Sequence, residues 1–82
     1  MDLKTTLRSQ ADDFKKKAET YRNKGEVEGS LINYLLAANN YNNCGNKEEL
    51  AQCMKYIIPL QRKLQEYKIQ RINCNNDDNV VN

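Results

Sequence analysis

The chain contains no histidine. That absence removes Ser-His and Cys-His nucleophile pairs, imidazole metal ligands and the commonest general base. Cysteine is scarce and odd in number. Cys44, Cys53 and Cys74 form no C-x-x-C pair, so they make neither a disulfide framework nor a zinc site, and a reduced cytosolic compartment is the expectation. Glycine occurs three times and proline once in 82 residues, too few for a turn-rich β chain or a low-complexity segment. No apolar run approaches the ~18–20 residues that a bilayer span requires. The opening MDLKTTLRSQ lacks the apolar core of a signal peptide. Neither sign of charge dominates: 13 basic against 11 acidic residues leaves +2, far from the excess of a dedicated nucleic-acid binder. Gly25 and Gly29 flank a helix start without the Lys-Ser/Thr of a phosphate loop. The expectation is therefore a non-enzymatic chain with no cofactor, no metal, no nucleic-acid partner and no direct membrane insertion.

What is present is helical periodicity. Leu3, Leu7, Ala11, Phe14, Ala18 and Tyr21 recur at steps of four and three, a narrow heptad stripe on a helix expected from Asp2, as N-cap, to Asn23. Gly25 supplies the left-handed stop. A second helix begins within two residues of it, which predicts an antiparallel hairpin. On that helix Val27, Leu31, Tyr34, Leu35, Ala38 and Tyr41 share one broad face, and the small Gly29-Ser30 pair lets the first helix approach closely. Asn39 to Asn43 and Cys44-Gly45-Asn46 end it. A third helix is expected from Lys47, capped by Asn46, with Leu50, Cys53, Met54, Ile57, Leu64 and Tyr67 inward. Cys53 reads there as a small core hydrophobe. Pro59 lacks the N–H that would bond Lys55 and either kinks this helix or ends it; the continuing apolar stripe favours a kink. The result is an all-α, antiparallel three-helix bundle over residues 1–72, monomeric as an isolated domain. Residues 73–82, rich in Asn and Asp, read as a disordered tail or the start of a linker, so that the chain is expected to be the N-terminal domain of a longer protein.

Charge offers one local signal. Lys15-Lys16-Lys17 stands among Asp12, Asp13 and Glu19, and reads as a solvated helix face able to steer an acidic partner. The sharper signal is apolar. At about 100° per residue Ile32 and Leu36 fall opposite the packed face of the second helix, on a strip that also carries Gly29, Asn39, Asn40 and Asn43. On the third helix Tyr56, Leu60, Lys63 and Tyr67 are expected to lie nearest to that strip. The five residues Ile32, Leu36, Tyr56, Leu60 and Lys63 thus make the expected partner site, an apolar slot for an amphipathic helix anchored at i, i+3/i+4 and i+7.

The stretch AETYRNKGEVEGSLINYLLAANNY resembles the first hairpin of the MIT (microtubule-interacting and trafficking) domain family. It shares an aromatic and basic end to helix 1, a glycine, and an A-x-x-x-Y-like segment formed by Ser30 and Tyr34. Ser30 stands where that family most often has Ala, and Val27 where an aromatic is common. The third helix, KYIIPLQRKLQEYK, departs from the commonest MIT ending, and its proline after an apolar pair is similar to MIT-related N-terminal domains of endosomal deubiquitinating enzymes. The resemblance implies recognition of short C-terminal helices of ESCRT-III-like subunits, lodged between helices 2 and 3 or between helices 1 and 3, with Lys63 facing an acidic flank of the ligand. It also implies a cytoplasmic protein peripheral to endosomes and active in endosomal sorting and protein transport, an AAA ATPase, a deubiquitinase or an autophagy adaptor being the parent. The rival expectation is a tetratricopeptide-like or homodimerising scaffold segment, whose apolar strip pairs with itself or with the next repeat.

Overall fold

The computed structural model describes the backbone of residues 2–81 and the side chains of residues 2–69. It consists of three helices, α1 (Leu3–Asn23), α2 (Val27–Asn43) and α3 (Lys47–Val81). The fold is an all-α three-helix bundle, as the heptad and broad-face patterns predicted. Asp2 caps α1 by accepting from the Lys4 amide at 3.4 Å. Asn46 caps α3 by accepting from the Glu49 amide at 3.2 Å.

The two connections are the same turn used twice. Tyr21-Arg-Asn23-Lys-Gly25 and Tyr41-Asn-Asn43-Cys-Gly45 both end in a glycine at φ 78°. In each, the residue after the glycine donates its N–H back to the tyrosine carbonyl at 2.9 Å, Glu26 to Tyr21 and Asn46 to Tyr41. The glycine itself donates to the residue after that tyrosine, Gly25 to Arg22 at 3.0 Å and Gly45 to Asn42 at 3.1 Å. This pair of bonds is the Schellman arrangement, and it leaves no room in sequence for anything but an immediate reversal.

α2 lies at the centre and packs against both neighbours. Its contact with α1 is made of small side chains. Ala11 and Ala18 of α1 and Ser30, Ala37 and Ala38 of α2 are buried, and Ser30 Oγ donates to the Ala18 carbonyl at 2.9 Å. Close approach of the two backbones follows from that composition. The α3 side is bulkier: Tyr34 stacks on Tyr56 with centroids 5.1 Å apart, while Cys53, Ile57 and Leu60 fill the space beneath. Burying a side chain such as Ile57 contributes about 1.5–3 kcal/mol. α1 and α3 run parallel and meet chiefly through long side chains. Lys15 Nζ reaches Glu49 at 2.8 Å, and one heptad further on both helices the Arg22 guanidinium lies 4.1 Å from the Tyr56 ring centroid.

Several residues expected inward are not. Leu35, Met54 and Tyr67 are 43%, 40% and 52% exposed. Leu35 and Met54 lie on the flank of the α2–α3 pair turned away from α1, where no fourth helix covers them. Tyr67 lies at the very start of α2, on the rim of a concavity with Gly25, Glu26 and Val27, and α3 continues past the length of its partner. Leu3 is exposed for the matching reason at the other end, because Gln10 is already level with Asn40. α3 passes through Pro59 without a break, so no second helix starts there. The helix extends through residues 73–81 as well; the side chains of that segment, expected as a tail, lie outside the described residues.

Candidate docking surfaces

The helix phases place the expected site residues on two flanks. Ile32 and Leu36 are half-exposed on α2. Tyr56, Leu60 and Lys63 face the other way, toward the end of α1. Tyr56 is held between Tyr34 and Arg22. Leu60 is buried, and with Lys63, Tyr67, Arg22, Gly25, Glu26 and Val27 it lines a concavity of ≈ 270 Å³. The five residues therefore do not wall a single slot.

A different α3 wall accompanies Ile32. Along α3, Met54 and Ile58 lie about 160° around the helix from Tyr56, and both are about as exposed as Ile32 and Leu36. Stepping two residues in opposite directions from the Tyr34–Tyr56 stack brings Leu36 level with Met54 and Ile32 level with Ile58. Leu35 lies between them in height and closest to α3 in phase. From helix phase, these positions outline a furrow, with Leu35 and Met54 nearer the α2–α3 seam and the exposed Ile32 and Ile58 outside them. Below it Leu31 and Leu64 line a depression of ≈ 370 Å³ with Gln61, Gln65 and Lys68. Leu36 is set beyond Ile32 in phase, toward α1. Sequence periodicity marked Ile32 and Leu36 as unpartnered, but it could not tell which side of α3 would meet them, because a stripe leaves the rotation of the helix about its own axis undetermined by about one residue position.

Four titratable side chains of the bundle are shifted by burial or by a hydrogen-bond partner. The Tyr41 hydroxyl donates to the Asp12 carboxylate across α1 and α2, and burial and that bond both hold the phenol protonated well above its usual range. Burial raises the Cys53 thiol too, keeping it neutral. Burial likewise raises Tyr34, although the nearby Arg22 opposes it, and the Tyr34 hydroxyl has no hydrogen-bond partner among the described residues. The bond to Glu49 raises Lys15, against a smaller opposing effect of burial. Among the described residues no three of His, Cys, Asp or Glu gather as metal ligands, and no helix is long and apolar enough to cross a membrane. Compared with known protein families, curated proteins and solved structures, the chain has no significant match.

Proposed function

We propose that the chain is a non-catalytic interaction module that binds a short amphipathic helix along α2. The observation that carries this is the set of five aliphatic side chains, Ile32, Leu35, Leu36, Met54 and Ile58, each 40–50% exposed and grouped on one outer face of α2 and α3. Such a grouping in a small bundle is a surface for another helix rather than scattered apolar exposure. Three anchors buried on docking, at about 1.5–3 kcal/mol each before ordering costs, reach micromolar affinity. The resemblance of the first hairpin to MIT domains supports an ESCRT-III-like C-terminal helix as the occupant, and recruitment of the parent protein to endosomal or other membrane-remodelling sites as the purpose. The concavity beside Leu60 and Lys63, between the end of α1 with its turn and α3, is the counterpart on the other flank.

The test is fluorescence polarisation with labelled C-terminal helices of ESCRT-III-like proteins. Leu36→Asp and Met54→Asp should each weaken binding at least tenfold, and leave the far-ultraviolet helix signal near that of the parent, because both side chains are outside the core at 42% and 40% exposure. Lys63→Glu reports the other flank. If neither aspartate variant changes binding, the α2 furrow is not the site; if Lys63→Glu alone weakens it, the ligand sits between α1 and α3.

A further inference from the structure

The run Lys15-Lys16-Lys17 is split by the fold. Lys15 turns to Glu49 on α3, the one ion pair among the described residues. Lys16 and Lys17 turn to the opposite side, where Lys24 joins them; Lys17 and Lys24, seven residues apart, lie within about 20° of each other around α1. These three lysines, with Thr20 and Tyr21 of α1 and Asn33 of α2, line a concavity of ≈ 470 Å³. No carboxylate lines it. Asp12 is engaged by Tyr41 on another face, and Asp13, one turn before Lys17, and Glu28 of α2 stand outside the lining.

The floor of this concavity is fixed. Tyr21 lies against Gly29, where an added Cβ would come within 3.1 Å of the ring, so a residue of poor helix propensity is what allows the ring to lie flat on α2. Asn33 Nδ2 is tied to the Gly29 carbonyl at 2.8 Å, which holds the amide at the rim. Asn33 is also the neighbour of Ile32 and one turn from Leu36. Three cations with no carboxylate in their shared lining thus stand beside Asn33, which adjoins the exposed Ile32 and Leu36 on α2.

We propose that this α1–α2 concavity selects an acidic helix: the partner that lays aliphatic anchors over Ile32 and Leu36 directs a row of glutamates or aspartates onto Lys16, Lys17 and Lys24. The inference rests on the helix-binding reading above and adds the chemistry of the partner. Charge complementarity identifies the occupant, because among the described residues no carboxylate pairs with these lysines, Lys17 meeting only the Phe14 ring at 5.9 Å, and the aliphatic side chains adjoin on the α2 edge. A membrane surface would favour a convex basic face; this one is recessed and bordered by an oriented amide.

The experiment uses the whole 82-residue chain, isotopically labelled, titrated at low salt with hexaglutamate. Amide shifts are expected at Thr20, Tyr21 and Asn33, and are lost in the Lys16→Glu/Lys17→Glu/Lys24→Glu variant. Shifts at other sites, or shifts that survive the triple reversal, overturn the inference. A synthetic amphipathic peptide with leucines at i, i+3, i+4 and i+7 and glutamates along one flank should bind about tenfold tighter than its glutamine counterpart, a preference that shrinks with salt and vanishes in the triple variant. Equal affinity for the two peptides, with both dependent on Leu36, removes the acidic-partner inference and leaves the docking surface. Lysine-dependent binding of hexaglutamate without any effect of Leu36→Asp on the peptide does the reverse. Lysine-dependent sedimentation with phosphatidylserine vesicles, and no preference between the peptides, overturns the inference in favour of a membrane.

Discussion

Two tyrosines of the same helix, both buried, have opposite local chemistry. Tyr41 donates to Asp12, whereas Tyr34 has no protein acceptor for its hydroxyl among the described residues. A buried hydroxyl without a partner costs about 1–3 kcal/mol in lost solvation, while a hydrogen bond to a charged acceptor contributes roughly 1.5–3 kcal/mol. Tyr34→Phe is therefore expected to be neutral or stabilising, and Tyr41→Phe destabilising by about 1–2 kcal/mol. Urea denaturation of the two variants gives the comparison, and a larger loss for Tyr34→Phe would contradict it. The same residues set the alkaline limit. Both phenols and the Cys53 thiol bind their protons more tightly in the folded chain than their ordinary values of 10.0 and 9.0 imply. The unfolded chain then loses protons first as pH rises, so their contribution is complete below pH ~9 and declines as pH climbs toward the raised native values. Melting temperature should fall steeply above pH ~10, and less steeply in Tyr41→Phe. A melting temperature constant to pH ~11 would contradict this.

At the scale of the element, the two reversals depend on glycine for backbone reasons alone. Nothing lies within 4 Å of a Cβ added at Gly25 or Gly45, yet both sit at φ 78°, where a side chain is strained. Gly45→Ala should cost about 1 kcal/mol, and Gly45→Asn less, since Asn tolerates the left-handed region. Pro59 presents the opposite case. It is exposed within an unbroken α3, where it withholds a hydrogen bond from Lys55. Pro59→Ala should stabilise the chain by roughly 1–3 kcal/mol, the interior helix penalty reduced by the greater freedom of the unfolded alanine chain. Thermal melts decide both predictions; a lower melting temperature for Pro59→Ala would assign the proline a packing role absent from this structure. Caps, stops and helix order were readable at this scale because they depend on residues adjacent in sequence. Asp2, Gly25 and Asn46 fall where the local chemistry predicted them.

For the molecule as a whole, the docking face proposed on α2 and α3 has two competing readings, one with a foreign helix and one with a second copy of the chain as occupant. In sedimentation equilibrium at micromolar concentration the helix-binding reading expects a monomer, and in Leu36→Asp the same monomer. A dimer dissociated by Leu36→Asp would instead favour the homodimerising alternative, in which the furrow closes on itself. The α1–α3 seam predicts a second global property. With Lys15–Glu49 and Arg22–Tyr56 as its main links, α3 is fastened mostly through α2. Both links are partly exposed and screened by salt, so each is worth less than the core contacts of Ile57 and Leu60.

By itself the sequence determined the number and order of the helices and their capped ends, because periodicity and capping are short-range properties of a chain; the end of α3, expected near residue 72, lies instead at Val81. The sequence also marked Ile32 and Leu36 as lacking a place in the core. Only the packed structure decided what stands beside them. Helix rotation placed Met54 and Ile58 on the open flank and turned Tyr56, Leu60 and Lys63 toward α1. The same rotation divided three consecutive lysines between an ion pair and a cluster with no carboxylate in its lining. Rotation of this kind is set by how alanines on one side of α2 and tyrosines on the other fill space together, and that balance exists only once all three helices are in contact.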